Sequence, residues 1–252
     1  MRLESDFQLI RNFEIRFFSK SLFAHTIFIR ILPTVKSLFK NTFSVVVKQK
    51  ARDMQVMEKP AFVLTGIKHC GKSTQGKLLA EHFDCPFFDT DDVIFNMTGK
   101  TARENYLIGG KKAFLFAEQD ACKQIAKTVK CQNHNQKTVI ATGGGICANN
   151  EAITVLREIG TIIFLNADEK TATERITREI KFDSDGKMTN LPAYISEKNP
   201  STIEDVKTIF AEFYSARKKL YEAICDIKID MKPVPKKENL ARILESLARF
   251  KS

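Results

Sequence analysis

The segment Gly66-Ile67-Lys68-His69-Cys70-Gly71-Lys72-Ser73-Thr74 has the spacing G-x-x-x-x-G-K-[ST]. Those residue types in that order suit one task, the binding of a nucleotide's phosphates. Glycines let backbone N–H groups curl around phosphate oxygens, Lys72 reaches the β- and γ-phosphates, Ser73 offers its hydroxyl to Mg²⁺, and a following helix adds its positive N-terminus. A second group is Asp89-Thr90-Asp91-Asp92, where two carboxylates near bound phosphates make sense if a metal ion and a substrate hydroxyl share them. Alternation along an extended segment puts Asp89 and Asp91 on one side and turns Asp92 away, as the cap of a helix starting at Val93. A third group is Gly143-Gly144-Gly145, one glycine more than a turn needs, which suggests a ligand lying against the backbone.

These groups need a frame that brings them together. Short apolar runs at Ala61 to Thr65, Pro86 to Asp89, Thr138 to Thr142, Thr161 to Leu165 and Asp226 to Ile229 read as buried strands. They alternate with helical patterns at Lys72 to His82, Lys111 to Val129, Asn150 to Ile159, Asp168 to Ile180 and Ser201 to Ile224. Leu240, Ile243, Leu244 and Leu247 recur at i, i+3, i+4, i+7 and predict a last helix docked on the sheet. The alternation implies an α/β fold with a parallel sheet covered by helices on both faces. In such a sheet ligands bind beyond the carboxyl ends of the strands, where all three groups fall. The polar stretch between Lys181 and Pro200, with Asp183-Ser184-Asp185-Gly186, reads as a flap that excludes water during phosphoryl transfer.

Composition narrows the class. The chain has 252 residues, 43% of them hydrophobic, enough for one domain with an appendage. Its net charge of +10 is uneven: residues 1–52 hold ten Lys/Arg against three Asp/Glu, so the remainder carries only +3. That balance suits a protein handling small anionic ligands and gives no footprint of a nucleic-acid surface. The six cysteines form no C-x-x-C pair and no His-spaced cluster, so free thiols in a reducing compartment, the cytoplasm, are expected. Residues 1–57 are basic and Phe-rich without helical or alternating periodicity, unlike residues 58–252. Arg11, Arg16, Lys20, Arg30, Lys36 and Lys40 interrupt their apolar runs, which excludes a membrane span, and no secretory signal is present. The extension reads as an unfolded leader upstream of a start at Met54 or Met57, with an organellar transit peptide or a membrane-surface segment as the alternatives.

Taken with Arg217-Lys218-Lys219-Leu220-Tyr221 before the last strand, the order and spacing of these motifs resemble the shikimate kinases over Pro60 to Ile229. The resemblance implies a three-layer P-loop kinase fold with a five-stranded parallel sheet and a lid at about 181–200. It implies a monomeric enzyme that moves the γ-phosphate of MgATP to the 3-hydroxyl of shikimate in aromatic amino-acid biosynthesis. Carried over residue by residue, His69, Cys70, Gly71, Lys72, Ser73 and Thr74 bind ATP phosphates, and Arg175 lies near the adenine. Ser73 and Asp89 hold the metal and its water, and Asp91 meets the hydroxyl that is phosphorylated, which makes Lys72 and Asp91 the catalytic pair. Gly144 and Gly145 bind the substrate through backbone N–H, and Arg217 pairs with its carboxylate. Two family arginines are replaced, one by Leu115 in the helix and one by Leu191 in the flap. Leucine does not reproduce a bidentate Arg–carboxylate contact. Lys111 or Lys112, one turn before Leu115, could supply the missing charge, with solvated lysines near a helix start as the alternative, and Lys187 or Lys198 could do so in the flap. A kinase for another small hydroxylated molecule and a nucleotide-binding protein without turnover remain the alternatives.

Overall fold

The computed structural model describes residues 59–132 and 136–250. The expectations placed on residues 1–57 lie outside the described residues. Five parallel strands, β1 (Ala61–Thr65), β2 (Phe87–Asp89), β3 (Thr138–Ala141), β4 (Gly160–Asn166) and β7 (Ile227–Asp230), form one sheet in the order β2-β3-β1-β4-β7. The three central strands are the continuous apolar runs of the sequence, because both their faces are covered. Edge strand β7 alternates instead, with Ile227 and Ile229 buried and Lys228 and Asp230 exposed.

The period of two in β1 divides the core. Phe62 and Leu64 pack with Leu79, Phe83, Phe210, Ile243 and Leu247 on one face. Ala61 and Val63 pack with Ile125, Val129, Leu156 and Tyr221 on the other. Helices α1 (Lys72–Phe83), α5 (Glu169–Arg178) and α8 (Lys236–Arg249) cover the first face, and α3 (Ala102–Cys131) and α4 (Asn150–Ile159) the second. The long α7 (Ile203–Ile224) serves both, with Phe210 in one core and Tyr221 in the other. Each fully buried Phe or Leu in these layers contributes about 1.5–3 kcal/mol relative to exposure.

Two boundaries differ from the sequence reading. Helix α3 begins at Ala102, nine residues before the predicted Lys111, and passes through a break at Gly110 (φ 70°, ψ −176°). Its start is fixed by a capping box, Thr101 with Glu104, whose signal the Gly109-Gly110 pair obscured. Helix α2 (Thr90–Thr98) begins at Thr90 rather than Val93, and its N-cap is Asp89, not Asp91 or Asp92. The chain therefore leaves the extended state one residue after β2, and strand alternation does not govern where Asp91 points. The flap folds as a two-residue-wide antiparallel hairpin of β5 (Lys181–Phe182) and β6 (Met188–Thr189) with a short helix α6 (Ala193–Ser196). All six cysteines are free, and among the described residues no helix is long and apolar enough to cross a membrane.

Candidate active site

The phosphate-binding motif occupies the turn between β1 and α1. Its backbone needs left-handed angles at Gly66 (φ 143°), His69 (φ 65°) and Gly71 (φ 100°), and a Cβ at Gly66 would stand 2.7 Å from both Cys70 Sγ and the Leu165 carbonyl. Glycine is therefore required there twice over, by angle and by space. Gly71 is the N-cap of α1 and has no side chain to satisfy the first-turn N–H groups, which leaves them for an anion. Lys72, the first helical residue, is buried, and its Nζ donates to the carbonyls of Gly66 (2.9 Å) and Ile67 (3.0 Å). The ammonium is thus held across the loop that the phosphates would enter. Ser73 and Thr74 are exposed at the mouth.

A cleft of about 550 Å³ opens beside this turn, walled by His69 to Gln75, by Arg175 and Arg178 of α5, and by the segment from Met231 to Asn239. Arg175 Nη1 donates to the His69 carbonyl at 2.6 Å, so the predicted nucleotide-side arginine does lie in the wall of the cleft. His69 Nε2 is 3.2 Å from Glu179 Oε2, without hydrogen-bond alignment. Burial, opposed by Glu179, lowers the His69 pKa and favours the neutral ring. Asn239 braces the far wall by accepting from Lys232 N–H (3.1 Å) and donating to the Lys232 carbonyl (2.9 Å).

At the end of β2, Ser73 Oγ donates to Asp89 Oδ2 at 2.6 Å, and Asp89 Oδ1 accepts the Asp91 N–H at 3.1 Å. Residues 73 and 89, distant in sequence, thereby form a single oxygen pair beside the phosphate turn. Among the described residues no three His, Cys, Asp or Glu gather into a protein-only metal cage. The Ser73–Asp89 pair fits magnesium, which binds through one or two protein oxygens and completes its shell with water and phosphate. Asp91 lies in the first turn of α2, beside Asp89, with much of its surface open. Protein around it, and then the nearby Asp89 charge, raise its pKa, while Lys72 and Lys68 oppose the rise.

The glycine loop after β3 faces Asp91. A side chain on Gly143 would begin 3.0 Å from Asp91 Oδ1, and one on Gly144 would begin 2.9 Å from Lys68 N, so the phosphate turn and the glycine loop are in backbone contact. Arg217 on α7 donates to the Gly144 carbonyl, and its guanidinium lies 4.2 Å from the centre of the Phe213 ring. Tyr194 stacks on Phe213 at 3.6 Å, which joins the flap to α7. The predicted residues thus lie around the carboxyl ends of β1, β2 and β3, with Arg175 reaching the phosphate turn from α5 across the nucleotide cleft.

The four lysines named as substitutes for the missing arginines lie at the surface. Lys111 and Lys112 follow the break at Gly110 and are exposed, as are Lys187 and Lys198. Leu191 does not stand in the cleft but is buried in the core with Ile176, Val206 and Phe210, because an apolar side chain at that position is drawn into the core. Leu115 is half-buried.

Three residues of the site escaped the sequence reading. Tyr221 was noted only as part of a motif, yet its buried hydroxyl lies 3.0 Å from the carbonyls of both Gly66 and Gly144, tying the two loops together. Glu118 is buried in α3 with Oε2 accepting from Asn149 Nδ2 at 3.0 Å, and burial pushes its pKa up to about 7. Asn149 also donates to the Leu115 carbonyl at 2.9 Å. An acidic residue on the apolar face of a helix was the available signal for Glu118.

A family model described as shikimate kinase matches residues 68–248. A curated shikimate kinase from Caldicellulosiruptor bescii is 32% identical over 142 residues, covering 55% of this chain and 78% of that one. Another, from Chlorobium chlorochromatii, is 27% identical over 198 residues, covering 77% and 96% of the two chains. Among solved structures, shikimate kinase from Acinetobacter baumannii in complex with shikimate aligns with a TM-score of 0.59 at 21% identity, over 76% of this chain and 95% of that one, a likeness of fold. Because the family model runs from the phosphate turn into the last helix, this chain belongs to the shikimate kinase family, phosphotransferases that use ATP to phosphorylate a hydroxyl group.

Proposed function

We propose that the protein transfers the γ-phosphate of MgATP to the 3-hydroxyl of shikimate. The observation that carries this reading is the meeting of Lys72, the Ser73–Asp89 pair and Asp91 at one end of a single sheet, opposite a glycine loop that holds Arg217. Phosphoryl transfer asks the protein chiefly for positioning and charge neutralisation, and these residues supply both. The turn from His69 to Thr74 binds the phosphates, with Lys72 exchanging its carbonyl partners for phosphate oxygens. Ser73 and Asp89 would hold the magnesium ion, which would offset the charge of the β- and γ-phosphates. Asp91 accepts a hydrogen bond from the acceptor hydroxyl, and its raised pKa suits it to receive the proton as the new O–P bond forms. Backbone N–H groups of Gly144 and Gly145 and the Arg217 guanidinium hold the rest of the acceptor, Arg217 at the carboxylate.

One observation favours a second reading, a related kinase with a different small hydroxylated acceptor. Leu115 and the buried Leu191 stand where the family has one arginine for the acceptor's carboxylate and one for the transferred phosphate. Each lost charge-assisted hydrogen bond is worth about 1.5–3 kcal/mol. A coupled ADP-release assay on the full chain with MgATP separates the readings. Turnover with shikimate, and none with other small polyols and hydroxy acids, is the expected result; turnover only with another acceptor would replace shikimate.

A further inference from the structure

Arg217 is a half-buried cation held without a counter-charge. Among the described residues no carboxylate stands within ion-pairing distance of it, and its hydrogen bond goes to the Gly144 carbonyl. Its guanidinium lies instead against aromatic rings, 4.2 Å from the centre of Phe213 and 5.9 Å from that of Tyr194. The two rings are themselves stacked, with centres 3.6 Å apart and planes 5° from parallel. An aromatic ring attracts a guanidinium and limits where it can go, yet it carries no net charge. A carboxylate in the same place would also fix the guanidinium, but it would neutralise the cation and compete with an anionic ligand for its donors.

The sequence sets this contact on one stripe of α7. Val206, Phe210, Phe213 and Arg217 follow i, i+4, i+7, i+11 and so share a face of the helix. The flap is seated on that stripe. Leu191 and Ile195 are buried in the core with Val206 and Phe210, and Tyr194, next to Ile195, reaches Phe213 one turn before Arg217. Leucine at position 191 contributes to the seat, since an unpaired charged side chain would not enter the core. A second tie follows directly after α6, where the Glu197 carboxylate accepts from the Tyr106 hydroxyl of α3.

We infer that Tyr194 and Phe213 are positioning residues, a two-ring brace by which the flap holds the uncompensated guanidinium of Arg217 in place for the acceptor. The inference rests on the reading that Arg217 binds the acceptor's carboxylate. A long side chain with many rotamers is then ordered before the acceptor arrives, and less of the binding free energy goes into fixing it. Because the brace spans α6 and α7, one contact holds both the flap and the guanidinium, and loss of either ring loosens both. The nucleotide side is left alone, since Lys72 and Arg175 stand on α1 and α5. Ordering one such side chain against an aromatic ring corresponds to about a three- to tenfold difference in acceptor affinity.

The test is steady-state kinetics of the full chain with MgATP and shikimate for Phe213→Leu, Tyr194→Leu, the double variant and Phe213→Tyr, together with hydrogen exchange of the unliganded proteins. Each leucine variant keeps an apolar side chain and loses a ring. KM for shikimate should rise about three- to tenfold, with KM for ATP and kcat within about twofold of wild type. The double variant should cost less than the sum of the two, because both changes remove the same brace. Phe213→Tyr keeps the ring and should match the wild type. Without ligand, the amides of Ile195, Ser196, Lys198 and Asn199, which donate within α6 and the turn after it, should exchange faster in either leucine variant. An unchanged KM for shikimate, equal rises in both KM values, a Phe213→Tyr protein as impaired as Phe213→Leu, or unaltered exchange would each overturn the inference. If Phe213→Leu fails to fold, Tyr194→Leu decides from the other side of the stack. An absence of shikimate turnover by the wild-type protein would instead refute the acceptor reading, and this inference with it.

Discussion

Glu118→Gln should stabilise the protein by an amount that grows with pH. The wild-type side chain is fully buried, and its pKa of about 7 stands above the ordinary value of 4.5. Between those values the folded chain keeps a proton that the unfolded chain releases. Stability from this group is therefore fully present below about pH 4.5, declines as pH rises, and is lost above about pH 7. At 1.36 kcal/mol per pKa unit, the loss across that window is about 3 kcal/mol. Glutamine does not titrate, and its carbonyl oxygen can still accept the Asn149 amide, so the variant escapes the decline. About 2.5 kcal/mol of that loss falls between pH 5 and pH 8, so with about 2–4 °C per kcal/mol for a domain of this size the difference in Tm between variant and wild type should widen by roughly 5–10 °C over that range. Thermal denaturation of both proteins by circular dichroism at a series of pH values measures it. Groups beyond the reach of the Glu118 charge titrate alike in both proteins and cancel in the difference. Parallel Tm curves would show that Glu118 ionises near its ordinary pH despite its burial, and the reasoning would fail.

Lys72→Ala and Asp91→Asn should each lower kcat by about 10²-fold or more while leaving the far-ultraviolet spectrum unchanged, and an active Asp91→Asn enzyme would remove that residue's assigned role. Gly66→Ala places a Cβ 2.7 Å from the Leu165 carbonyl at φ 143°, so it should weaken binding of a fluorescent ADP analogue and cost about 1–3 kcal/mol in denaturant unfolding. Tyr221→Phe removes a buried hydroxyl lying 3.0 Å from the carbonyls of Gly66 and Gly144 and should cost about 1–3 kcal/mol, with a rise in KM for both substrates as the two loops lose their tie.

The layers of this protein were legible because their signals are local. A buried parallel strand must be apolar at every position, so β1, β3 and β4 stand out as short runs, and the stripe from Leu240 to Leu247 marks a docked helix at the right period. The phosphate turn was legible for a related reason, since its glycines answer to backbone angles set within a few residues. Helix boundaries were less so: Gly109-Gly110 reads as a stop, yet α3 continues through it because the capping box at Thr101 and packing against α2 hold the earlier turns in place. Leu191 shows a limit of another kind: the motif marks it as a replaced arginine in the flap, but only packing shows its apolar side chain folded into the core.

By itself the sequence determined the α/β class, the strand order along the chain, the phosphate turn and the cluster of residues that serve it, because periodicity, backbone angle and residue chemistry are properties of neighbours. Only the tertiary structure decided which distant groups meet. It set Ser73 against Asp89, tied Gly66 to Gly144 through Tyr221, turned Arg217 onto the glycine loop, and left Glu118 with one unpartnered oxygen beside Asp91. Those relations depend on distance through space and on the exclusion of water. Both are fixed when helices and sheet pack, and neither is written in the spacing of residues along a chain.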